Sequence, residues 1–240
     1  VVILRGGSDF EDNEKAGISH LLEHVCFRGT KTYPTQKAIF RILDSVGSHE
    51  NASTSREEIS FYQKVSTSDA LHALDVLFEI IAYPLLRHED TEIEKGPVIN
   101  EIKGVVGMPF GICDLELFEM LYGDQPAGRD IAGSPASVMN ISAEDLKEYH
   151  RRICAGSNIT VVLVGKIEPR LLDSVREKFG IIQSGGPPRK PRFREAFEGP
   201  RFGFLYWKGE QVFLTFAVKT IHSLDSNVLP LQILAKAIGG

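Results

Sequence analysis

The segment His20-Leu21-Leu22-Glu23-His24 places two imidazoles and one carboxylate on a single helical turn. At about 100° per residue, His20 and His24 lie one turn apart on the same helix face, and Glu23 lies beside them. The aliphatic residues of this stretch occupy the opposite arc; they are Ile18, Leu21, Leu22 and Val25. The pattern predicts a helix over residues 15–27 that buries one side and presents three polar groups to a cleft.

Two neutral imidazoles at positions i and i+4 suit Zn²⁺, and an adjacent glutamate suits a general base acting on a water that the metal activates. The order H-x-x-E-H is the inverse of the commoner H-E-x-x-H and is typical of the inverzincin metallopeptidases. Histidine pairs with this spacing also occur by chance on solvated helices, so the motif alone leaves both interpretations open. Cys26 falls between the two faces, and a buried free thiol is the favoured interpretation over a ligand.

Residues 89–106 contain three candidates for a third metal ligand, namely Glu92, Glu94 and Glu101. Glu94 and Glu101 share one helix face, because a separation of seven residues leaves only about 20° of drift. One of them can bind the metal while the other accepts a hydrogen bond from a ligand histidine. Glu92 is interpreted as part of an ordinary solvated face. Pro97 lacks an N–H, so we expect a kink between the two glutamates.

Composition indicates an ordinary globular protein: of 240 residues, 42% are hydrophobic and 25% charged, enough for one good core or two small ones. A net charge of −5 argues against a nucleic-acid partner, and the absence of a long apolar run argues against a membrane partner. Three widely spaced cysteines favour a reducing compartment, so a cytoplasmic location is expected. Because Val1 already reads as strand, we expect the natural N-terminus to lie upstream, which leaves targeting open.

Strands and helices alternate along the first 180 residues. Strands are predicted over residues 1–6, 49–54, 58–65 and 159–164. Helices are predicted over residues 35–46, 68–82, 110–122, 142–152 and 169–179, with Ser142 as an N-cap.

In its H-x-x-E-H motif and in the two glutamates Glu94 and Glu101, the chain resembles peptidase family M16, which includes pitrilysin, insulysin and the mitochondrial processing peptidase. The family joins H-x-x-E-H to a glutamate pair, E-x-x-x-x-x-x-E, on a second helix, and Glu94 and Glu101 match that pair, with Glu101 77 residues after His24. The resemblance covers about residues 1–180. It includes the motifs Gly7-Ser8-x-Phe10-Glu11, His24-x-x-Phe27-x-Gly29-Thr30 and Gly47-x-x-x-Asn51-Ala52-x-Thr54-Ser55-x-Glu57.

The resemblance implies an α+β fold, a two-layer unit with a mixed, largely antiparallel sheet packed against helices, as in metallohydrolases related to the mitochondrial processing peptidase. It implies that one Zn²⁺ ion is bound by His20, His24 and Glu101. It also implies that Glu23 is the general base and that Glu94 supports the site from behind a ligand.

The resemblance further implies a zinc-dependent endopeptidase that hydrolyses extended oligopeptides or unfolded segments. Asn51, Ala52 and Ser53 would form the strand that binds the peptide substrate, with an ordinary edge strand as the alternative. The alternative function is a non-catalytic scaffold or assembly subunit of a protease or processing complex. Inactive subunits in this family typically lose one or more of the motif residues, and all are intact here.

The composition changes after residue 182. Residues 183–200 are rich in glycine, proline and basic residues and are predicted to be a linker, with an electrostatic patch as the alternative. Residues 1–182 would form the metal-binding domain. Residues 201–240, with a predicted strand over 212–219 and a helix over 228–238, would begin a second, metal-free α/β domain.

Shifted by 211 positions, this last stretch aligns weakly with the opening strand and the zinc helix. Leu231, Leu234 and Ala235 then stand where the motif has its two histidines and its glutamate. We expect a second homologous half to complete the protein, in the same chain or in a partner subunit, and a dimer is possible. The isolated 240 residues are expected to bind zinc but to hydrolyse peptides poorly.

Overall fold

The computed structural model describes residues 1–186, 188, 201–221 and 225–238. Within these residues lie four strands: β1 (Val2–Arg5), β2 (His49–Thr54), β3 (Glu58–Lys64) and β4 (Ile159–Val161). The same residues form nine α-helices: α1 (Ile18–Cys26), α2 (Gln36–Ser45), α3 (Ala70–Ala82), α4 (His88–Val106), α5 (Pro109–Tyr122), α6 (Pro135–Met139), α7 (Ala143–Ile153), α8 (Pro169–Gly180) and α9 (Val228–Ala237). No helix among the described residues is long and apolar enough to span a bilayer.

The four strands form one sheet in the order β2-β3-β1-β4, and every neighbouring pair is antiparallel. In β1, Val2 and Leu4 are buried while Arg5 is exposed, as expected when one sheet face packs on a core. Among the described strands, β2 pairs with β3 alone, from His49 opposite Lys64 to Thr54 opposite Ile59. The predicted α+β fold with a largely antiparallel sheet is therefore confirmed, and β2 forms one edge of the sheet in the described structure.

Helix α1 lies in the middle of the core. Its aliphatic stripe is buried as the sequence predicts, with Leu21, Leu22 and Val25 almost completely removed from solvent. The same cluster contains residues from the sheet and from helices α3 and α7, among them Ile59, Phe61, Ile80, Ile81, Leu146 and Ile153. Burying a whole aliphatic side chain stabilises by about 1.5–3 kcal/mol. This packing fixes α1 and directs its polar arc away from the core.

A buried carboxylate holds the N-terminus of α1. The N–H groups of Gly17 and Ser19 donate to the two oxygens of Glu11, at 2.7 and 2.9 Å. Gly17 has a φ of 92°, and a Cβ there would collide with the carbonyl of Ala132. Burial raises the pKa of Glu11 against the lowering effect of these hydrogen bonds. Glu11 thus accepts from two N–H groups that have no partner within the helix, and it fixes the position of the helix that carries the histidines.

Replacing Glu11 by alanine is expected to lower the free energy of unfolding by about 3 kcal/mol, because buried N–H groups lose a charged acceptor. Urea denaturation should show this as a lower midpoint with an unchanged slope. Glu14→Ala removes an exposed glutamate nearby and should leave the midpoint almost unchanged. Equal midpoints for the two variants would contradict this account of Glu11.

Helix α4 continues through Pro97, so the expected kink does not interrupt it. Gly96 and Pro97 lie on the exposed side of the helix, where no packed neighbour opposes the proline ring. The carbonyl of Ile93, which loses its helical donor, belongs to a residue that is itself exposed and can be solvated. Both Glu94 and Glu101 therefore project from one helix.

The structure corrects two expectations about the rest of the chain and adds one helix. The strand predicted over residues 212–219 is not formed: the described residues offer it no partner strand, and Val212, Leu214 and Phe216 are exposed. The strand predicted over 159–164 ends at Val161, and Val164 beyond it is almost fully exposed. Helix α6 was not predicted, although Ser134 before Pro135 is a typical N-cap. Ser142 does cap α7, as predicted.

Most of the predicted linker, residues 187 and 189–200, lies outside the described residues.

Candidate metal centre

The polar arc of α1 meets α4 at one point. The Nε2 atom of His20 lies 3.5 Å from Oε2 of Glu101, and the Nε2 atom of His24 lies 3.7 Å from the same oxygen. One ligand atom from each of these three residues lies within 4.8 Å of the others. The structure thus brings together the three residues that the sequence nominates as metal ligands. Among the described residues, His20, His24 and Glu101 are the histidine, cysteine, aspartate or glutamate side chains that lie close enough together to hold one metal ion.

The distances and chemistry of this group fit Zn²⁺. With zinc–ligand bonds of about 2.0–2.2 Å, ligand atoms in a tetrahedral site lie about 3.3–3.6 Å apart, close to the two separations between nitrogen and oxygen observed here. Burial, and to a lesser extent the charge of His24, lowers the pKa of His20 to about 4. His20 is therefore neutral at pH 7, as a ligand imidazole must be. Two imidazoles and one carboxylate leave a fourth position for water or substrate.

His24 is oriented from behind by Glu94. Its Nδ1–H donates to Oε2 of Glu94 at 3.2 Å, which leaves Nε2 facing Glu101. Burial opposes the charged form of His24, but the hydrogen bond to Glu94 and the charges of Glu101 and Glu23 outweigh it and raise the pKa of His24. A carboxylate behind a ligand histidine fixes the tautomer and the ring orientation. The structure places Glu94 where the sequence predicts a supporting residue.

Glu23 lies on the same turn as the two histidines but does not belong to the three-residue group. The hydroxyl of Thr54, the last residue of β2, donates to Oε2 of Glu23 at 2.6 Å. Burial raises the pKa of Glu23, against the lowering effects of this hydrogen bond and of His24. A carboxylate with a raised pKa that remains close to the metal group has the properties of a general base. The contact with Thr54 also ties the edge strand to α1.

The other residues considered from the sequence lie either in the edge strand β2 or outside the metal group. Asn51, Ala52 and Ser53 lie in β2, on the edge of the sheet that ends at Thr54, and the Asn51 side chain accepts from the N–H of Ala52 at 2.9 Å. Glu92 pairs with Lys95 at 2.6 Å and is not in the metal group, as its assignment to a solvated face predicts. Cys26 lies in the core with its thiol reduced, and burial raises its pKa.

Sequence reasoning did not assign Arg28 or Thr54. Arg28 contacts Glu94, with Nη1 3.2 Å from Oε1. Both residues stand in the motifs that carry the family resemblance, Arg28 at an unspecified position between Phe27 and Gly29. The motifs indicated that these segments matter, but only the folded structure shows what the side chains contact.

Two family models match the chain. Residues 1–134, more than half of the 240, match Insulinase (Peptidase family M16), and residues 140–240 match Peptidase M16 inactive domain. The second match begins before the predicted linker and includes α7, β4, α8 and α9. The first contains all of the residues of the candidate metal centre.

Curated relatives agree with these matches. Subunit beta of the mitochondrial processing peptidase of Saccharomyces cerevisiae is 30% identical over 197 residues, which are 79% of this chain and 42% of that protein. An uncharacterised zinc protease of Mycobacterium bovis is 30% identical over 241 residues, 98% of this chain and 54% of that protein. The chain therefore spans about half the length of the curated relatives it matches.

Solved structures share the fold. A protease from Helicobacter pylori superposes with a TM-score of 0.73 at 23% identity, over 81% of this chain and 47% of that chain. Pitrilysin superposes with a TM-score of 0.70 at 23% identity, over 80% of this chain and 21% of that chain. With the family model that covers residues 1–134, these findings establish the relationship. This chain belongs to peptidase family M16.

Proposed function

We propose that this chain carries the zinc-binding, catalytic part of an endopeptidase that hydrolyses extended oligopeptides or unfolded segments. The observation that carries the proposal is the convergence of His20, His24 and Glu101 within 4.8 Å, with Glu23 on the same helical turn as the histidines. Membership of a peptidase family and relatives named as zinc proteases support it. Because this chain spans about half the length of its curated relatives, the activity of the whole protein is also a proposal.

His20, His24 and Glu101 would hold one Zn²⁺ ion. A zinc ion in such a site supplies Lewis acidity, which polarises a substrate carbonyl and lowers the pKa of water toward neutrality. Glu23 accepts a proton from the attacking water and later delivers it to the leaving amine. Because Thr54 holds Oε2 of Glu23, we assign this proton to Oε1. Glu94 keeps the Nε2 atom of His24 directed at the metal position.

The substrate would bind along β2. An edge strand presents unpaired N–H and C=O groups, and an extended peptide can add to it as a further strand. Asn51, Ala52 and Ser53 are small residues of this edge, and Thr54 joins the strand to Glu23. A peptide bound there would run beside the metal group. This arrangement favours extended substrates over folded ones.

A second homologous half would complete the protein, either in the same chain or in a partner subunit. Two observations support this part of the proposal: the match to the inactive-domain model, and coverage of about half of each curated relative. The inactive-domain match also keeps the non-catalytic scaffold subunit as the alternative function. A scaffold subunit has no need of a base beside three converging ligands, so the intact site favours the enzyme.

Removing zinc tests the metal site directly. Elemental analysis of the purified full-length protein should find one zinc per catalytic part, and a chelator should then lower the Tm. A ligand present at 100 times its Kd stabilises by about 2.7 kcal/mol, which corresponds to a shift of about 5–10 °C for a domain of this size. Adding zinc back should restore the Tm, and adding magnesium should not. Protein without zinc at neutral pH, and with a Tm that the chelator leaves unchanged, would contradict the proposed site.

A further inference from the structure

We propose that Arg28 is a positioning residue of the metal site, which acts through Glu94 to hold His24 in its ligand orientation. The inference rests on the proposed zinc site and extends it by one residue. Arg28 lies just beyond the end of α1, whereas Glu94 lies in α4, so the contact also joins the two helices that supply the ligands.

Arg28 and His24 contact different oxygens of the Glu94 carboxylate. Its Nη1 lies 3.2 Å from Oε1 of Glu94, while Nδ1 of His24 lies 3.2 Å from Oε2. Each carboxylate oxygen therefore has its own partner, and the carboxylate is held between the guanidinium and the imidazole. The side chain of Glu94 is only 9% exposed, so few alternative orientations remain for it in this position.

Charge explains why Glu94 needs this cation. His24 must be neutral to bind a metal, so in the metal-bound protein it offers Glu94 a hydrogen bond but no positive charge. A buried carboxylate without a compensating charge is costly, and the side chain would turn toward water. The neighbouring cation Lys95 pairs with Glu92 instead. Among the ion pairs of the described residues, Arg28 is the arginine or lysine that faces Glu94.

Arg28 is itself held in place. Its Nη1 donates to Oε1 of Gln36 at 2.8 Å, and its Nε lies 3.6 Å from Oδ1 of Asp90. The other oxygen of Asp90 accepts from Arg87 at 2.6 Å. Arg87 therefore shares Asp90 with Arg28, but its recorded contacts do not include Glu94. This difference provides a matched control, an arginine whose hydrogen bonds go to Asp90 and to the carbonyls of Pro34 and Arg28 rather than to Glu94.

The other ligand histidine has no comparable support. The Nδ1 atom of His20 is buried without a hydrogen-bond partner among the described residues. Its ring packs edge-on against that of His24, with the centroids 4.7 Å apart. Of the two histidines, His24 is therefore the one that a side chain supports from behind, and Arg28 contacts that supporting side chain, Glu94.

The test measures zinc affinity rather than turnover. The Kd for Zn²⁺ is determined for the full-length protein by competition with a chelator of known affinity, and the Tm of each metal-free form is recorded. Loss of a partner behind a metal ligand weakens binding by about 10–100-fold, so Arg28→Gln should raise the Kd by about 10-fold. Arg28→Lys should raise it less, because an ammonium can meet Glu94 but lacks the planar fork. Arg87→Gln should lower the Tm and leave the Kd unchanged.

A double variant tests the route. If Arg28 acts through Glu94, adding Arg28→Gln to Glu94→Gln should cause little further loss of zinc affinity. Additive losses would show that Arg28 acts by another route and would overturn the inference. So would a wild-type Kd in Arg28→Gln, or equal losses of affinity in Arg28→Gln and Arg87→Gln. If the wild-type protein binds zinc, the proposed site stands in each of these cases. If the wild-type protein binds no zinc, the proposed site itself is refuted.

Discussion

Replacing Glu23 by glutamine is expected to lower peptide hydrolysis by about 10²–10⁴-fold, the range typical of a lost general acid–base group. Glutamine keeps the size of the side chain and can still accept the hydrogen bond from Thr54. It cannot take up the proton of the attacking water. The measurement is kcat on an unstructured peptide with an internal quencher, made with the full-length protein. The zinc content should remain that of the wild type, because Glu23 is not in the ligand group.

The matched control is Glu92→Gln, which makes the same chemical change at a glutamate paired with Lys95. Its activity should stay close to that of the wild type. A wild-type rate in Glu23→Gln would rule out Glu23 as the base. Wild-type protein that contains zinc but has no peptidase activity would instead favour the non-catalytic scaffold function.

Replacing Glu101 by alanine is expected to weaken zinc binding more than any change behind the ligands does. Loss of a supporting residue costs about 10–100-fold in affinity, and Glu94→Gln should fall in this range. Glu101→Ala removes a charged ligand and should exceed it. The Glu101 side chain is 53% exposed, so the metal-free variant should keep the Tm of the metal-free wild type. Competition with a chelator measures the affinity, and thermal denaturation measures the Tm.

Comparing Glu94→Gln with Glu101→Ala distinguishes the glutamate that binds the metal from the glutamate that supports a ligand histidine. If Glu94→Gln loses zinc more severely than Glu101→Ala, the roles of the two glutamates are reversed. Equal, small effects would place the third ligand elsewhere. A fall in the Tm of metal-free Glu101→Ala would mean that Glu101 stabilises the fold rather than the ion.

Local patterns predicted much of the fold and identified most of the candidate site residues. The aliphatic stripe of α1 and the alternation in β3 reflect periods that a single element imposes on its own residues. The spacing between Glu94 and Glu101 likewise predicts that both lie on one helix face, because a single helix carries both residues. Pro97 does not end α4, because it lies on the exposed side of the helix, where a carbonyl that loses its donor can be solvated. The kink itself stays a prediction.

Contacts between elements could not be predicted in this way. Glu11, Thr54 and Arg28 each act on a helix or strand other than their own, and no periodicity encodes such a pairing. Strand formation has the same dependence, since a strand needs a partner to satisfy its backbone groups. Residues 212–219 are mostly apolar, as in a buried strand, but have no partner strand among the described residues. The family motifs showed where these residues lie without showing their roles.

The position of the ligands along the chain sets an order on synthesis. His20 and His24 leave the ribosome first, and Glu101 follows His24 by 77 residues, with β2, β3 and α3 made in between. Of the three proposed ligands, a nascent chain therefore carries only the two imidazoles until α4 has been made. If these three residues bind zinc as proposed, tight binding requires that α1 and α4 have already packed together. The zinc content of a preparation would then report the fraction of molecules in which these two helices have packed together.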